Sequence, residues 1–232
     1  MALSLIISNI KKSYKDKKVL DGCSFSFEQS GVYVLMGPNG SGKSTLLRIC
    51  ALLESPDDGE IIYYEDGKVV ENNLNLRRRI TLLLPNIGIF NTTVFKNVAY
   101  GLKIRGMNKG EIKERVEKAL DFVGLLHKKK QNALSLSSGE AKRMGIARAI
   151  VLEPEFLFLD EPTASVDQEN TEIIENIITQ LKQRLNSIII MATHDYQSAK
   201  RTGDILLFLE KGKLTRTSVC SESPFQLLQG ML

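Results

Sequence analysis

Residues 37–45 read Gly37-Pro38-Asn39-Gly40-Ser41-Gly42-Lys43-Ser44-Thr45, which is the pattern G-x-x-x-x-G-K-S. The apolar run 31–36 precedes them, and residues 43–53 follow with the apolar spacing of a helix. Glycines let backbone N–H groups turn toward an anion, and the dipole of the following helix favours negative charge. The Lys43 ammonium can then reach terminal phosphates, and the Ser44 hydroxyl can ligate Mg²⁺. The pattern therefore predicts a strand, a phosphate loop and a helix that bind a nucleoside triphosphate with Mg²⁺.

A second segment, Phe156-Leu157-Phe158-Leu159-Asp160-Glu161, places two carboxylates directly after an apolar run. Such a run is typical of a parallel strand that is buried on both faces. The strand would deliver Asp160 to the edge of the sheet, where its carboxylate can hold hydrated Mg²⁺. Glu161 would orient the attacking water and accept its proton. The alternative interpretation is an ordinary strand followed by an acidic turn.

A third segment, Leu136-Ser137-Ser138-Gly139-Glu140, separates two classes of enzyme that share the first two features. Ser137, Ser138 and Gly139 would present a hydroxyl and free N–H groups at the start of a helix from about Glu140 to Val151. Alone, the segment is a common helix start. Because it stands shortly before the two carboxylates in the chain, the segment indicates a second anion site. A second anion site favours an ATP hydrolase over a small-molecule kinase.

The composition of the 232 residues fits one large domain or a core with a smaller lobe, because 43% of the residues are apolar. The net charge is +4, and many of the basic residues stand in short clusters. These clusters are interpreted as solvated surface; the alternative is a patch that binds phosphates or nucleic acid. Cys23, Cys50 and Cys220 lie far apart and indicate neither a disulfide framework nor a zinc site, so a reducing cytoplasm suits the chain. No run approaches the roughly 18 apolar residues of a membrane helix. Any membrane role is therefore expected to come through a partner.

Before the phosphate loop, residues 3–10 and 19–27 have the composition of strands, with residues 11–18 as the turn between them. After it, Asp66-Gly67 lies between two apolar runs and predicts a hairpin, because both turn positions tolerate positive φ. Residues 1–85 are therefore predicted to form a β-rich part and the phosphate-loop core.

Residues from 86 to about 152 have a helical composition, in which Asn108 is expected to cap a helix over Lys109–Phe122 that Gly124 ends. Residues 153–232 are expected to complete the α/β core. They contain the apolar runs 156–159 and 187–192, a helix between them, and a closing hairpin built from 205–209 and 214–219. The predicted fold is thus α/β with an inserted helical lobe.

The order of these segments, with His194 after the next strand, resembles the nucleotide-binding subunit of an ABC transporter over essentially the whole chain. The resemblance implies a P-loop NTPase core with a mainly parallel sheet, an N-terminal antiparallel β subdomain and an inserted α-helical subdomain. It also implies a head-to-tail homodimer that sandwiches two ATP molecules. The phosphate loop of one chain then faces the 136–140 segment of the other.

The resemblance also implies residue roles. Ser137 and Gly139 would contact the γ-phosphate in trans, His194 would position that phosphate, and Asp167 would cross the dimer seam. Tyr14 stands where the family places an aromatic ring that stacks on adenine. The alternative for His194 is a hydrogen-bonded residue at a strand end. The alternative for Tyr14 is an aromatic residue in a turn. The residues expected to bind ATP are Tyr14, Gly37, Pro38, Asn39, Gly40, Ser41, Gly42, Lys43, Ser44, Thr45, Ser137, Ser138, Gly139, Glu140 and Asp167.

The chain departs from the family pattern at two places. Pro85 and Asn86 stand where the family usually has a glutamine that meets magnesium and links catalysis to the membrane partner. Asn86 is therefore a candidate magnesium ligand after a one-residue shift; the alternatives are altered coupling and a structural Pro-Asn turn. In the 136–140 region, Ser138 replaces the usual glycine and Ala141 the usual glutamine, and ATP hydrolysis is still expected.

The favoured function is an ATP-hydrolysing subunit that works through an integral-membrane permease and a solute-binding protein. Residues 91–102 resemble the partner-contacting region of importers for oxyanions such as tungstate, molybdate or phosphate. The protein is expected to be cytoplasmic and peripheral on the inner face of the membrane, without direct nucleic-acid contact. A soluble ATPase outside transport is the alternative, and a kinase a weaker one.

Overall fold

The computed structural model describes residues 3–184 and 187–217, which form two β-sheets and the helices packed against them. The strands of the first sheet are β1 (Leu3–Tyr14), β2 (Lys17–Phe27), β4 (Asp58–Glu65) and β5 (Lys68–Val70). The strands of the second sheet are β3 (Gly31–Met36), β6 (Ile80–Leu83), β7 (Phe156–Asp160), β8 (Ile188–Ala192), β9 (Ile205–Glu210) and β10 (Lys213–Thr217). The helices are α1 (Lys43–Cys50), α2 (Leu74–Arg78), α3 (Val94–Ile104), α4 (Lys109–Phe122), α5 (Ser138–Ile150), α6 (Gln168–Arg184) and α7 (Tyr196–Thr202), with 3₁₀ turns at Leu126–Lys128 and Ala133–Ser135.

The first sheet is antiparallel, in the order β2-β1-β4-β5, which confirms the predicted antiparallel layer. The turn predicted over residues 11–18 is wrong, because only Lys15 and Asp16 form it. The polar residues on either side continue the strands, with Tyr14 opposite Lys17. Polar side chains do not prevent strand pairing where the strand end faces solvent.

Two tight turns form at the positions that the residue types predict. Asp66 and Gly67 have φ values of 51° and 75°, and Lys211 and Gly212 have values of 47° and 74°. These left-handed conformations connect β4 to β5 and β9 to β10, so both predicted hairpins are confirmed. The predicted end of the closing hairpin at Val219 lies outside the described residues.

The second sheet has the order β10-β9-β3-β8-β7-β6, and its strands are parallel except for the β9–β10 pair. Every residue of β3, β7 and β8 is buried. Leu35 of β3 and Asp160 of β7 both pair with Ala192 of β8. The carboxyl ends of these three strands therefore lie side by side, and the α/β fold with a mainly parallel sheet is confirmed.

Both faces of this sheet are covered, which explains why its central strands read as continuous apolar runs. Alternate residues such as Val34 and Leu159 pack with apolar side chains of α3, α4, α5 and α6. The residues between them, such as Leu35 and Phe158, pack with α1 and the first sheet. The core therefore consists of two apolar layers separated by the sheet.

Helix boundaries correct two predictions and confirm a third. Helix α1 ends at Cys50 and not at Leu53, since Leu52 has a φ of 58° and the Leu53 N–H bonds back to the Arg48 carbonyl. Helix α5 begins at Ser138, two residues before the predicted start at about Glu140. Helix α4 begins after Asn108, whose side chain accepts the Glu111 N–H as predicted.

None of the described helices combines the length and apolar character needed to span a bilayer.

Candidate functional site

Three loops at the carboxyl edge of the second sheet carry most of the predicted site residues. The loop after β3 leads into Lys43 and Ser44, the end of β7 carries Asp160 and Glu161, and His194 follows β8 closely. Because β8 pairs with both β3 and β7, these five side chains converge on one place.

The phosphate loop needs glycine at specific positions. Gly37 has a φ of 153°, and a Cβ atom there would lie 2.2 Å from the Leu209 carbonyl oxygen. Gly42 caps α1 with a φ of 106°, and its Cβ atom would lie 2.9 Å from a methyl group of Val19. A side chain at either position would be strained and would clash with its neighbours.

The Lys43 side chain is only 6% exposed. Its ammonium donates to the carbonyl oxygens of Gly37 at 2.8 Å and Pro38 at 3.3 Å, and it lies 3.7 Å from Oε1 of Glu161. The buried charge is thus held inside the loop by groups of the loop itself. This placement would let the ammonium meet a phosphate bound to the loop's N–H groups. A cavity of about 430 Å³ opens beside the loop and is lined by residues 17–19, 38–41 and 210–212.

Asp160 is 1% exposed, and its Oδ1 accepts a hydrogen bond from the Ser44 hydroxyl at 3.0 Å. Burial raises the pKa of this carboxyl group, the Ser44 hydrogen bond lowers it, and the nearby Glu161 charge raises it further. Its Oδ2 is buried and has no hydrogen-bond partner among the described residues. An unpartnered buried carboxylate oxygen next to a hydroxyl fits a hard divalent cation such as Mg²⁺.

Glu161 lies between Lys43 and His194. His194 Nδ1 is 3.1 and 3.0 Å from the two carboxylate oxygens of Glu161. Glu161 has a φ of 49°, and its N–H donates to the Ala192 carbonyl at 3.0 Å. The Glu161 side chain is 16% exposed and that of His194 is 56% exposed. The carboxylate is therefore oriented from two sides and still reachable from solvent.

The Ser137–Glu140 segment forms a capping box at the start of α5. The Ser137 hydroxyl accepts the Glu140 N–H at 3.3 Å, and the Glu140 carboxylate accepts the Ser137 N–H at 3.1 Å. Reciprocal capping explains why the helix starts at Ser138. Within the described part of the chain, no hydrogen bond or ion pair joins this segment to the phosphate loop.

Asn170 of α6 covers the segment, a contact that no motif in the sequence predicts. A Cβ atom on Gly139 would lie 2.1 Å from Cγ of Asn170, so only glycine fits under this side chain. The Asp167 carboxylate holds Asn170 in place by accepting from its backbone N–H at 2.8 Å and from its amide group at 2.9 and 3.0 Å. The i, i+3 spacing of Asp167 and Asn170 is the only sequence signal for this arrangement.

Tyr14 and Asn86 take no part in these contacts. Tyr14 ends β1, is 42% exposed, and donates its hydroxyl to the Glu54 carboxylate. The Lys12 ammonium lies 5.7 Å from the centre of the Tyr14 ring. Asn86 is exposed beside a cavity of about 310 Å³, and within residues 3–184 and 187–217 no hydrogen bond joins it to Asp160.

The sequence profile of the family described as ABC transporter matches residues 20–164, which is more than half of the chain. The tungstate uptake system ATP-binding protein TupC of Peptoclostridium acidaminophilum is 36% identical over 212 residues, covering 91% of this chain and 97% of TupC. The phosphate import ATP-binding protein PstB 2 of Natronomonas pharaonis is 36% identical over 224 residues, covering 90% of this chain and 78% of that protein.

Solved structures agree with these relatives. The structure of cbiO1 from Clostridium perfringens, part of the ABC transporter complex cbiONQ, matches with a TM-score of 0.81 and 28% identity, covering 98% of this chain and 91% of cbiO1. An ATP-binding cassette of an ABC transporter in its ADP conformation matches with a TM-score of 0.80 and 26% identity, covering 93% and 90%. This chain therefore belongs to the ABC transporter ATP-binding family, whose members are ATPases.

Proposed function

We propose that this protein hydrolyses ATP and couples the reaction to solute transport through a separate membrane permease. The observation that carries the proposal is the convergence of Lys43, Ser44, Asp160, Glu161 and His194 at the edge of the parallel sheet. We further propose that residues 1–232 act as one ATP-binding domain with a core, a helical lobe over residues 86–152 and a second core part.

Each residue has a role that its position supports. Glu161 accepts the proton of the attacking water, since its carboxylate is oriented and reachable. Lys43 and the N–H groups at the start of α1 neutralise the phosphate charge. Ser44 and Asp160 would hold Mg²⁺, which supplies charge neutralisation when bound. His194, 3.0 Å from the Glu161 carboxylate, keeps that carboxylate in its orientation.

The active unit in this proposal is a head-to-tail homodimer. Among the described residues, no hydrogen bond or ion pair joins the Ser137–Glu140 segment to the phosphate loop of its own chain. The exposed Ser138 side chain stands at the start of α5. A second copy in head-to-tail orientation would bring that helix start to the bound γ-phosphate. Asp167 would lie near the seam, where it holds Asn170 over Gly139.

Two inactive variants test the shared site by complementation. Lys43→Met removes the loop's cation, and Ser138→Glu places a charge that suits the helix start but repels phosphate. A one-to-one mixture is expected to recover about a quarter of the wild-type ATPase rate, because half the dimers are mixed and each has one intact site. A mixture as inactive as its components, with dimers present, contradicts the shared site.

The permease surface is proposed to lie on the helical lobe. Phe90, Tyr100 and Ile104 are 43%, 48% and 65% exposed, and the rings of Phe90 and Tyr100 are 4.6 Å apart. Exposed apolar patches of this kind mark partner contacts. The names of TupC and PstB 2 support an importer of an oxyanion. In this proposal a solute-binding protein lies outside, and this subunit lies on the inner face of the membrane. Co-purification with a permease tests this assignment.

Asn86 is retained as a proposed magnesium ligand. Asn86→Ala is then expected to raise the Mg²⁺ concentration for half-maximal ATPase activity by about tenfold, as for losses at metal sites generally. The control is Asn72→Ala, which removes an exposed amide whose Oδ1 accepts a hydrogen bond from Arg77 of α2. Unchanged Mg²⁺ dependence in Asn86→Ala would show that Asn86 belongs to a structural turn.

A further inference from the structure

The Lys142 ammonium joins three elements around the proposed reaction centre. It extends from α5 and donates to the Pro85 carbonyl oxygen, just beyond β6, at 2.6 Å. It also lies 3.5 Å from the carbonyl oxygen of Glu161, just beyond β7. One side chain of the helical lobe therefore contacts the backbone of two neighbouring strand ends, one of which carries the proposed base.

The turn at Glu161 needs such support. Its φ of 49° lies in the left-handed region, which is strained for a residue other than glycine. The Glu161 N–H donates to Ala192, and its carbonyl accepts from the Ala164 N–H at 3.2 Å as well as facing Lys142. Pro85 has no side-chain donor that could hold the turn from the β6 side. The Lys142 ammonium thus supplies a cationic contact to the Glu161 carbonyl.

The environment of Lys142 favours a fixed position. The side chain is half-buried beside the cavity that Asn86, Ser138 and Ser165 help to line. Burial lowers the pKa of its ammonium group, whereas the charges of Asp160 and Glu161 raise it. A cation with two carbonyl acceptors and two nearby carboxylates has little freedom to move.

We propose that Lys142 is a positioning residue, which extends from α5 and holds the Glu161 turn. The inference rests on the proposed ATP hydrolysis and adds a residue that acts through Glu161. Through these contacts Lys142 ties the position of the Glu161 turn to that of α5. It gives this chain a direct connection between the start of α5 and the reaction centre.

The test compares Lys142→Met with Lys113→Met, which alters an exposed lysine of α4. Lys142→Met is expected to lower kcat by about tenfold to a hundredfold, because a misplaced base costs that much. The dissociation constant of a fluorescent ATP analogue, measured without Mg²⁺, is expected to stay within about twofold, since the phosphate loop is untouched. Lys142→Arg keeps a cationic donor and is expected to recover most of the rate. Lys113→Met should behave as wild type.

A double-mutant cycle separates positioning from general stabilisation. In a Glu161→Gln background, Lys142→Met is expected to cause no further loss, because the base through which it acts is already gone. Additive losses, a wild-type rate in Lys142→Met, or loss of ATP-analogue binding in that variant would each overturn the inference. A wild-type protein that hydrolyses no ATP would instead overturn the proposed function, so the two failures are distinguishable.

Discussion

Replacing Glu161 by glutamine is expected to lower kcat for ATP hydrolysis by about 10²- to 10⁴-fold, which is the range for loss of a general base. Glutamine keeps the size of the side chain but cannot accept the proton of the attacking water. Its neutral amide also ends the 3.7 Å charge contact with Lys43. ATP binding should persist, and the variant should accumulate as an ATP-bound dimer because the step that reopens it is blocked.

Steady-state ATPase measurements give kcat, and size-exclusion chromatography with and without ATP and Mg²⁺ gives the dimer fraction. Glu169→Gln serves as the matched control, since Glu169 is an exposed residue in the first turn of α6. A Glu161→Gln protein with the wild-type rate would remove Glu161 from the mechanism. If the variant hydrolyses ATP slowly but stays monomeric with ATP, blocked hydrolysis does not by itself keep the dimer closed.

Replacing Lys43 by methionine is expected to weaken ATP binding by about tenfold to a hundredfold, the equivalent of one charge-assisted hydrogen bond of roughly 1.5–3 kcal/mol. Methionine preserves the buried apolar stem of this 6% exposed residue but not its donors. Hydrolysis should fall further than binding, because negative charge at the transferred phosphoryl group increases in the transition state.

Isothermal titration of ATP measures the binding loss, and the ATPase rate at saturating ATP measures the loss in hydrolysis. Lys200→Met, at an exposed position of α7, is the control and is expected to bind ATP as wild type does. Equal affinity in Lys43→Met and wild type would mean that the ammonium stays with the Gly37 and Pro38 carbonyls when ATP binds. The phosphate loop would then act through its N–H groups alone.

Local patterns predicted the elements well where short-range chemistry sets the conformation. Asp66-Gly67 forms the predicted hairpin because both residues tolerate positive φ, and Asn108 caps α4 because its side chain reaches an N–H group three residues on. The wrong predictions concern boundaries. Strands β1 and β2 extend into residues 11–14 and 17–18 because pairing with the neighbouring strand outweighs polar composition.

The site could be predicted only in part, because some of its contacts depend on how elements distant in the chain pack together. Lys43, Ser44, Asp160 and Glu161 belong to contiguous motifs, so their residue types alone indicated phosphate and metal chemistry. Asn170 could not be found in this way, because its contact with Gly139 depends on how α6 packs against α5. The roles of all the predicted site residues, Tyr14 and Asn86 among them, stay predictions.

The amino-acid sequence by itself determined the chemical groups of this protein, a glycine loop with its lysine and a strand ending in two carboxylates, because each motif is set by neighbouring residues. Only the tertiary structure decided which groups meet. The pairing of β3 and β7 with β8 brings Ser44 within 3.0 Å of Asp160, and α5 directs Lys142 to the backbone of Pro85 and Glu161. The physical reason is that strand register and helix packing join residues far apart in the chain, which no local pattern specifies.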